Sequence, residues 1–358
     1  MYGKYIIYVL FVFLSGCISS YNLENDNSEP LLVVDGKITQ ENTQHELTLR
    51  RSTATGSTEF NAVTGARISL NDDIGNFEAY YESGNGKYLL EGSVLERVPG
   101  RSYYLEIQLP DERIYRSVPQ TMPEVMKPDK LYFKLEEIEE ISDLENIIIK
   151  RYLNLYVNTP VSKDNLGFHF IWRVDHAYSF AELQCSPLKP PVTCYITRKL
   201  ISDNLKIFTS EDLSGGILQD FRVGSIRVLP NWEFFEKHFF NVAQHSITRE
   251  AYVYWETVKK VAQSTGSIFD TPPGPINGNI YNVNDPEERI LGFFEVSAVD
   301  TIRTYTFATD LEPLAIEDLC NPLVWQSWRN PECCDCLLIP DSHLQRPEYW
   351  GFLREDHQ

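Results

Sequence analysis

Between Pro30 and about Pro119, apolar and polar residues alternate in short runs. LLVVDGKIT, ELTLRRST, ARISLND, NFEAYYE, GKYLLEG, SYYLEIQLP and RIYRSVPQ each put apolar side chains on one face of a strand. The breaks DDIGN, SGNG and VPG carry turn chemistry. Seven short strands in about 90 residues predict an immunoglobulin-like β-sandwich over 30–120. TMPEVMKPDK, rich in proline, reads as a linker. Beyond it LYFKLEEI, YLNLYVN, FHFIWRVD, CYITRKL, LKIFTS and FRVGSIRVLP continue the strand pattern, and WEFFEKHFFNVAQHSI follows suit.

The period then changes. In TREAYVYWETVKKVAQSTG the residues Ala251, Trp255, Val258 and Ala262 recur at helical spacing, with Thr248 placed to cap the start and Gly266 to stop the helix. One amphipathic helix near 248–265 inside a β-rich region most simply covers a sheet face. TPPGPINGNIYNVNDPEER then reads as a long loop, ILGFFEVSAVD and TYTFATD as two further strands, and a cysteine-rich tail closes the chain. The expected fold is mainly β: an amino-terminal sandwich, then a larger β-rich domain over 121–358 carrying one helix.

The first residues, MYGKYIIYVLFVFLSGCISS, hold one basic residue, Lys4, ahead of an apolar run to Leu14. This is the pattern of a secretory signal, too short for a spanning helix. Leu14-Ser15-Gly16-Cys17 resembles a bacterial lipobox, which predicts a signal over 1–16 and acylation of Cys17. Each buried methylene of an acyl chain contributes about 0.8 kcal/mol of membrane affinity. Residues 17–29, polar and acidic, read as a flexible tether. Ile18 stands where an inner-membrane retention aspartate would be, and Glu24, Asp26 and Glu29 look like an export signal to the outer face of the outer membrane. The expected location is therefore the outer membrane, lipid-anchored and facing the cell surface.

The chain has 358 residues, 32 of them basic and 51 acidic, for a net charge of -19. That balance argues against nucleic acid as a partner. An exported chain keeps its cysteines oxidised, and with Cys17 committed to lipid six remain: Cys185, Cys194, Cys320, Cys333, Cys334 and Cys336. A Cys185–Cys194 bridge is the expected first pair, because SPLKPP can turn the chain back. Cys320 would take one tail cysteine and the other two would pair together. A zinc site of Cys320, Cys333, Cys334 and Cys336 is the rival, without the usual paired C-x-x-C knuckles.

The familiar catalytic and cofactor motifs are missing from the sequence: no G-x-S-x-G elbow, HExxH helix, P-loop or dinucleotide fingerprint. His169 and His176, seven apart, would face opposite sides of one strand and make poor co-ligands. Asn282, Asn284, Asp285, Glu287 and Glu288 form an oxygen-rich run, matching no known calcium spacing. The run Glu136 to Glu140 reads as a solvated strand end. Trp325, Trp328 and Trp350 cluster around the cysteines, either to pack the tail or to stack on a sugar.

Several stretches together resemble one family. EAYVYWETVKKVAQSTGSIFDTPPGPINGNIYNVNDPEERILGFFEVSAV, LLVVDGKIT, CYIT at Cys194, and CDC followed by RPEYW are similar to the domain of unknown function 4249 family, a group of lipoproteins of Bacteroidota. The amino-terminal series VTGARISLND, GNGKYLL and PGRSYYLEI resembles carboxypeptidase-regulatory-like sandwiches. The resemblance implies an outer-membrane lipoprotein, often encoded beside a TonB-dependent receptor, with no assigned activity and no catalytic residues to carry over. The expectation is a non-enzymatic accessory that binds a glycan or peptide ligand for such a receptor, or a self-sufficient glycan-binding surface protein.

Overall fold

The computed structural model describes residues 30–53, 61–141, 145–161, 167–200, 205–212, 217–229, 231–263, 276–311, 320 and 330–351. The seven amino-terminal runs form strands whose buried positions alternate, as in Ser102–Gln108 and Arg67–Asp72. Two sheets enclose their core. One contains Leu32–Ile38, His45–Arg51, Lys87–Leu90 and Tyr81–Gly84; the other contains Ile114–Ser117, Ser102–Gln108, Arg67–Asp72 and Phe77–Ala79. Leu32, Val34, Leu47, Tyr88, Leu70, Tyr103 and Leu105, all fully buried, meet between them. NFEAYYE supplies two strands, since the chain passes from one sheet to the other at buried Tyr80.

The expected boundary at 120 does not divide the sheets. Leu291–Thr306 is one 16-residue strand where the sequence suggests two. From Leu291 to Val296 it pairs in parallel with Leu32–Ile38, and from Ser297 to Thr306 it pairs antiparallel with His238–Ile247. The amino-terminal sheet thereby runs on through His238–Ile247, His169–Ala181 and Thr193–Lys199, giving eleven strands with its side branches. Within the long loop, Ile280–Asn282 adds a strand to Ile114–Ser117. The sandwich core accordingly includes Ile280, Ile290, Phe294, Val296 and Ala298. Alternation marks a strand without naming its partner, so the sequence pattern could not show this splice.

The same 280–298 region explains two glycines. Gly292 has a φ of +94°, and a Cβ there would lie 1.9 Å from the Val34 carbonyl oxygen; a Cβ at Gly278 would lie 1.9 Å from the oxygen of Gly292. Three backbones pass too closely for any side chain. Asn279 fixes the approach by donating to the Phe294 carbonyl and accepting its N–H, both at 2.8 Å.

A second core lies between the large sheet and a three-stranded one of Lys130–Ile141, Ile147–Pro160 and Ile217–Val228. Glu136 to Glu140 sit on the first of these strands, toward its solvated end. The helix spans Arg249–Gln263, and the Thr248 hydroxyl accepts from the Ala251 N–H at 3.2 Å. Ala251 is buried and Trp255 and Val258 half-buried, whereas Ala262 is exposed. Tyr254 stacks on Phe293 at 4.7 Å. Gly266 lies outside the described residues.

Candidate functional site

The six cysteines form Cys185–Cys334, Cys194–Cys336 and Cys320–Cys333. Cys320 takes a tail cysteine as expected, but the Cys185–Cys194 pair and the leftover tail pair are corrected. Cys194 lies in the ladder opposite Phe180 with its side chain in the core, while Cys185 lies beyond the end of that strand, and each meets a tail cysteine instead. The short turns Pro331–Cys333 and Cys336–Leu338 direct the tail thiols to separate partners. With every one of these thiols oxidised, the zinc arrangement has no ligands left. Buried Glu182 organises the junction, accepting from the Cys336 N–H at 3.0 Å and the Val192 N–H at 3.3 Å. Burial alone would raise its carboxyl; these N–H donors and Lys189 outweigh that and lower it.

Trp350 is half-buried against Phe239 and Tyr195, each ring 4.8 Å away, and so packs the tail onto the sheet. Trp325 and Trp328 lie outside the described residues, as does Cys17. His169 and His176 do face opposite ways: His169 stacks on Tyr252 at 5.1 Å, and His176 contacts His238 through ring nitrogens 3.0 Å apart. Glu288 is engaged by Tyr115 at 3.0 Å, Arg113 at 3.4 Å and Asn282, which spends the carboxylate on joining loop to sandwich. Among the described residues no three His, Cys, Asp or Glu side chains gather as a metal site.

The most site-like feature lies where the ladder is interrupted. Along one edge of His169–Ala181, Thr193–Lys199 pairs as far as Asp175, and Ile207–Thr209 takes over only at Ile171. A cavity of about 470 Å³ opens between these two strands, around Arg173. Its lining carries four cations, Lys37, Arg173, Lys199 and Lys206, and one carboxylate, Asp175. Val174, Leu200, Leu205 and Val223 form its apolar side, and the small Ala243, opposite Arg173 in the ladder, leaves space at the floor.

A buried network underlies the cations. Glu295, 2% exposed, receives two bonds of 3.2 Å from Arg173 and one of 2.7 Å from the Trp255 indole of the helix. Burial would raise this carboxyl, but the charge and hydrogen bonds of Arg173, with Lys37 beside it, hold it at about 2. The Ser297 hydroxyl lies 3.2 Å from both Glu295 and His245, whose imidazole burial keeps neutral. Here the serine bridges histidine and glutamate and is itself fully buried, so the trio is no nucleophilic relay. Burial, then Arg173, pushes Lys37 down to about 8. Buried Arg97, by contrast, donates to the carbonyls of Thr39, Glu41, Gly92 and Leu95. The ammonium groups of Lys37 and Lys199 have no such partner among the described residues.

Sequence pattern alone misses this cavity. Its residues are spread from Lys37 to His245, and within LLVVDGKIT and FHFIWRVD the strand period places Lys37 and Arg173 at ordinary outward positions.

The fold is a two-core β protein built on a spliced sheet, with a disulfide-fastened tail and a cationic cavity at a ladder gap. Its chain belongs to the family described as Domain of unknown function (DUF4249), whose model matches residues 18–303. No curated protein matches. A solved structure described as "Biofilm associated protein - BSP domain" aligns at 6% identity, covering 81% of this chain and 61% of that one, with a TM-score of 0.13. At that level the likeness carries no argument, and this chain spans less than two thirds of that structure's length.

Proposed function

We propose that the protein is a non-enzymatic lipoprotein of the outer membrane, anchored through Cys17, that binds a ligand as accessory to a TonB-dependent receptor. The observation that carries this reading is the cysteine chemistry. The lipobox-like leader claims Cys17, and the other six cysteines are all disulfide-bonded, a state that persists in oxidising compartments. Family membership supports it, since the resemblance implies lipoproteins encoded beside such receptors.

Binding fits the cavity better than hydrolysis does. Glycoside hydrolysis needs two carboxylates facing across a groove, and this lining offers Asp175 alone. The glycan-binding alternative loses weight with Trp350, whose ring is occupied by the tail's own packing.

Extraction of native membranes in mild detergent, followed by affinity capture of this chain, tests the proposal. A TonB-dependent receptor is expected in comparable amount, and Cys17→Ser is expected to release the protein from the membrane fraction. Elution of the wild-type chain alone would contradict the accessory role.

A further inference from the structure

We infer that the cavity at the ladder gap binds a small organic carboxylate, its negative head held by Lys37 and Lys199 beside Arg173 and its apolar body laid along Val174, Leu200, Leu205 and Val223. This deepens the proposed binding role and rests on it.

The charge argument comes first. A chain of net charge -19 collects four cations around one space, with a single carboxylate in the lining. Cations serving solubility alone would be spread over the surface rather than gathered around one cavity in a chain with 51 acids. Arg173 does pair, with Glu295 behind it, while the two ammonium groups donate to nothing among the described residues. Lys37 is half-buried, where an ammonium with no hydrogen-bond acceptor is unfavourable until an anion arrives, while exposed Lys199 adds its charge at the rim.

Arrangement and size narrow the class. Arg173 is held from behind by a bidentate carboxylate that Trp255 and Ser297 also contact, so its guanidinium is immobilised at the floor. Such preorganisation lowers the cost of fixing an anion beside it. The volume, about 470 Å³, is in the range of small-molecule sites, roughly 300–1,000 Å³. A bare inorganic anion would leave the apolar side wet, whereas an aliphatic or aromatic acid covers it.

Fluorine NMR on the purified full chain gives the test, with 4-fluorophenylacetate as probe and 4-fluorophenylacetamide as its uncharged counterpart. The acid is expected to saturate one site and the amide to bind at least tenfold more weakly. Lys37→Met with Lys199→Met is expected to weaken the acid about tenfold or more while thermal unfolding stays cooperative. Equal binding of acid and amide, unchanged binding by the double variant, or displacement of the probe by equimolar inorganic phosphate would overturn the assignment. Capture of the receptor by a chain that binds no acid would remove only this ligand class. Loss of receptor capture with acid binding intact would remove only the accessory role.

Discussion

Lys37 lies beside Glu295 in the parallel ladder and faces Arg173, His245, Asp175 and Lys199, with His45 within its field. Its ammonium is lowered from 10.5 to about 8, chiefly by burial, so the unfolded chain holds this proton more tightly than the folded one. Charging Lys37 therefore works against folding at neutral pH, and the penalty fades as pH rises through 8 toward 10.5. Lys37→Met is expected to stabilise the protein by about 1 kcal/mol at pH 7, read by urea unfolding. A loss of stability would mean that the ammonium has a partner. Arg173 behaves oppositely: Arg173→Met strands buried Glu295 and should cost about 3–5 kcal/mol, most of it recovered when Glu295→Gln is added. None of this is readable from LLVVDGKIT or FHFIWRVD, where Lys37 and Arg173 look like ordinary outward positions.

Among the elements, most strands and the helix were legible because their periodicity is local. Partner choice was not, and neither were the tight approaches. ILGFFEV marks a strand, but only the fold shows that Gly292 passes against Val34. Gly292→Ala should cost at least about 2 kcal/mol, since it adds a backbone clash to an unfavourable φ; Gly75→Ala, with φ +92° and nothing within 4 Å, should cost about 1. The tail shows the same division. Six cysteines predict bridges, yet pairing depends on how the tail folds back over Cys185 and Cys194. Cys185–Cys334 and Cys194–Cys336 close nearly the same loop, with separations of 149 and 142 residues. Removing either pair alone leaves that loop closed and should cost little. Removing both should cost on the order of 4–5 kcal/mol in the chain-entropy account. Equal, additive losses in denaturant titrations would refute that redundancy.

For the whole molecule, Leu291–Thr306 ties the two cores together, so they are expected to unfold in one transition. Val296→Pro, at the residue before the partner switch, should split that transition in calorimetry. Acid should weaken the whole structure in two stages. Burial holds His45 and His176 down at about 4 and His238 at about 3, so the unfolded chain takes up protons first as pH falls below 6.5. Each such imidazole contributes a slope of about 1.4 kcal/mol per pH unit until its folded value is reached. Glu295, held at about 2, adds its own loss below about 4.5. The melting temperature is therefore expected to be flat near pH 7–8 and to fall steadily from pH 6 to pH 3.

Holding a small ligand while docked to a receptor is the role proposed for this chain, and native mass spectrometry of the complex captured from outer membranes measures both at once. A TonB-dependent receptor is expected bound to the lipidated chain, with added mass from a small organic acid that Lys37→Met with Lys199→Met removes. A lone chain, carrying neither receptor nor acid, would contradict it.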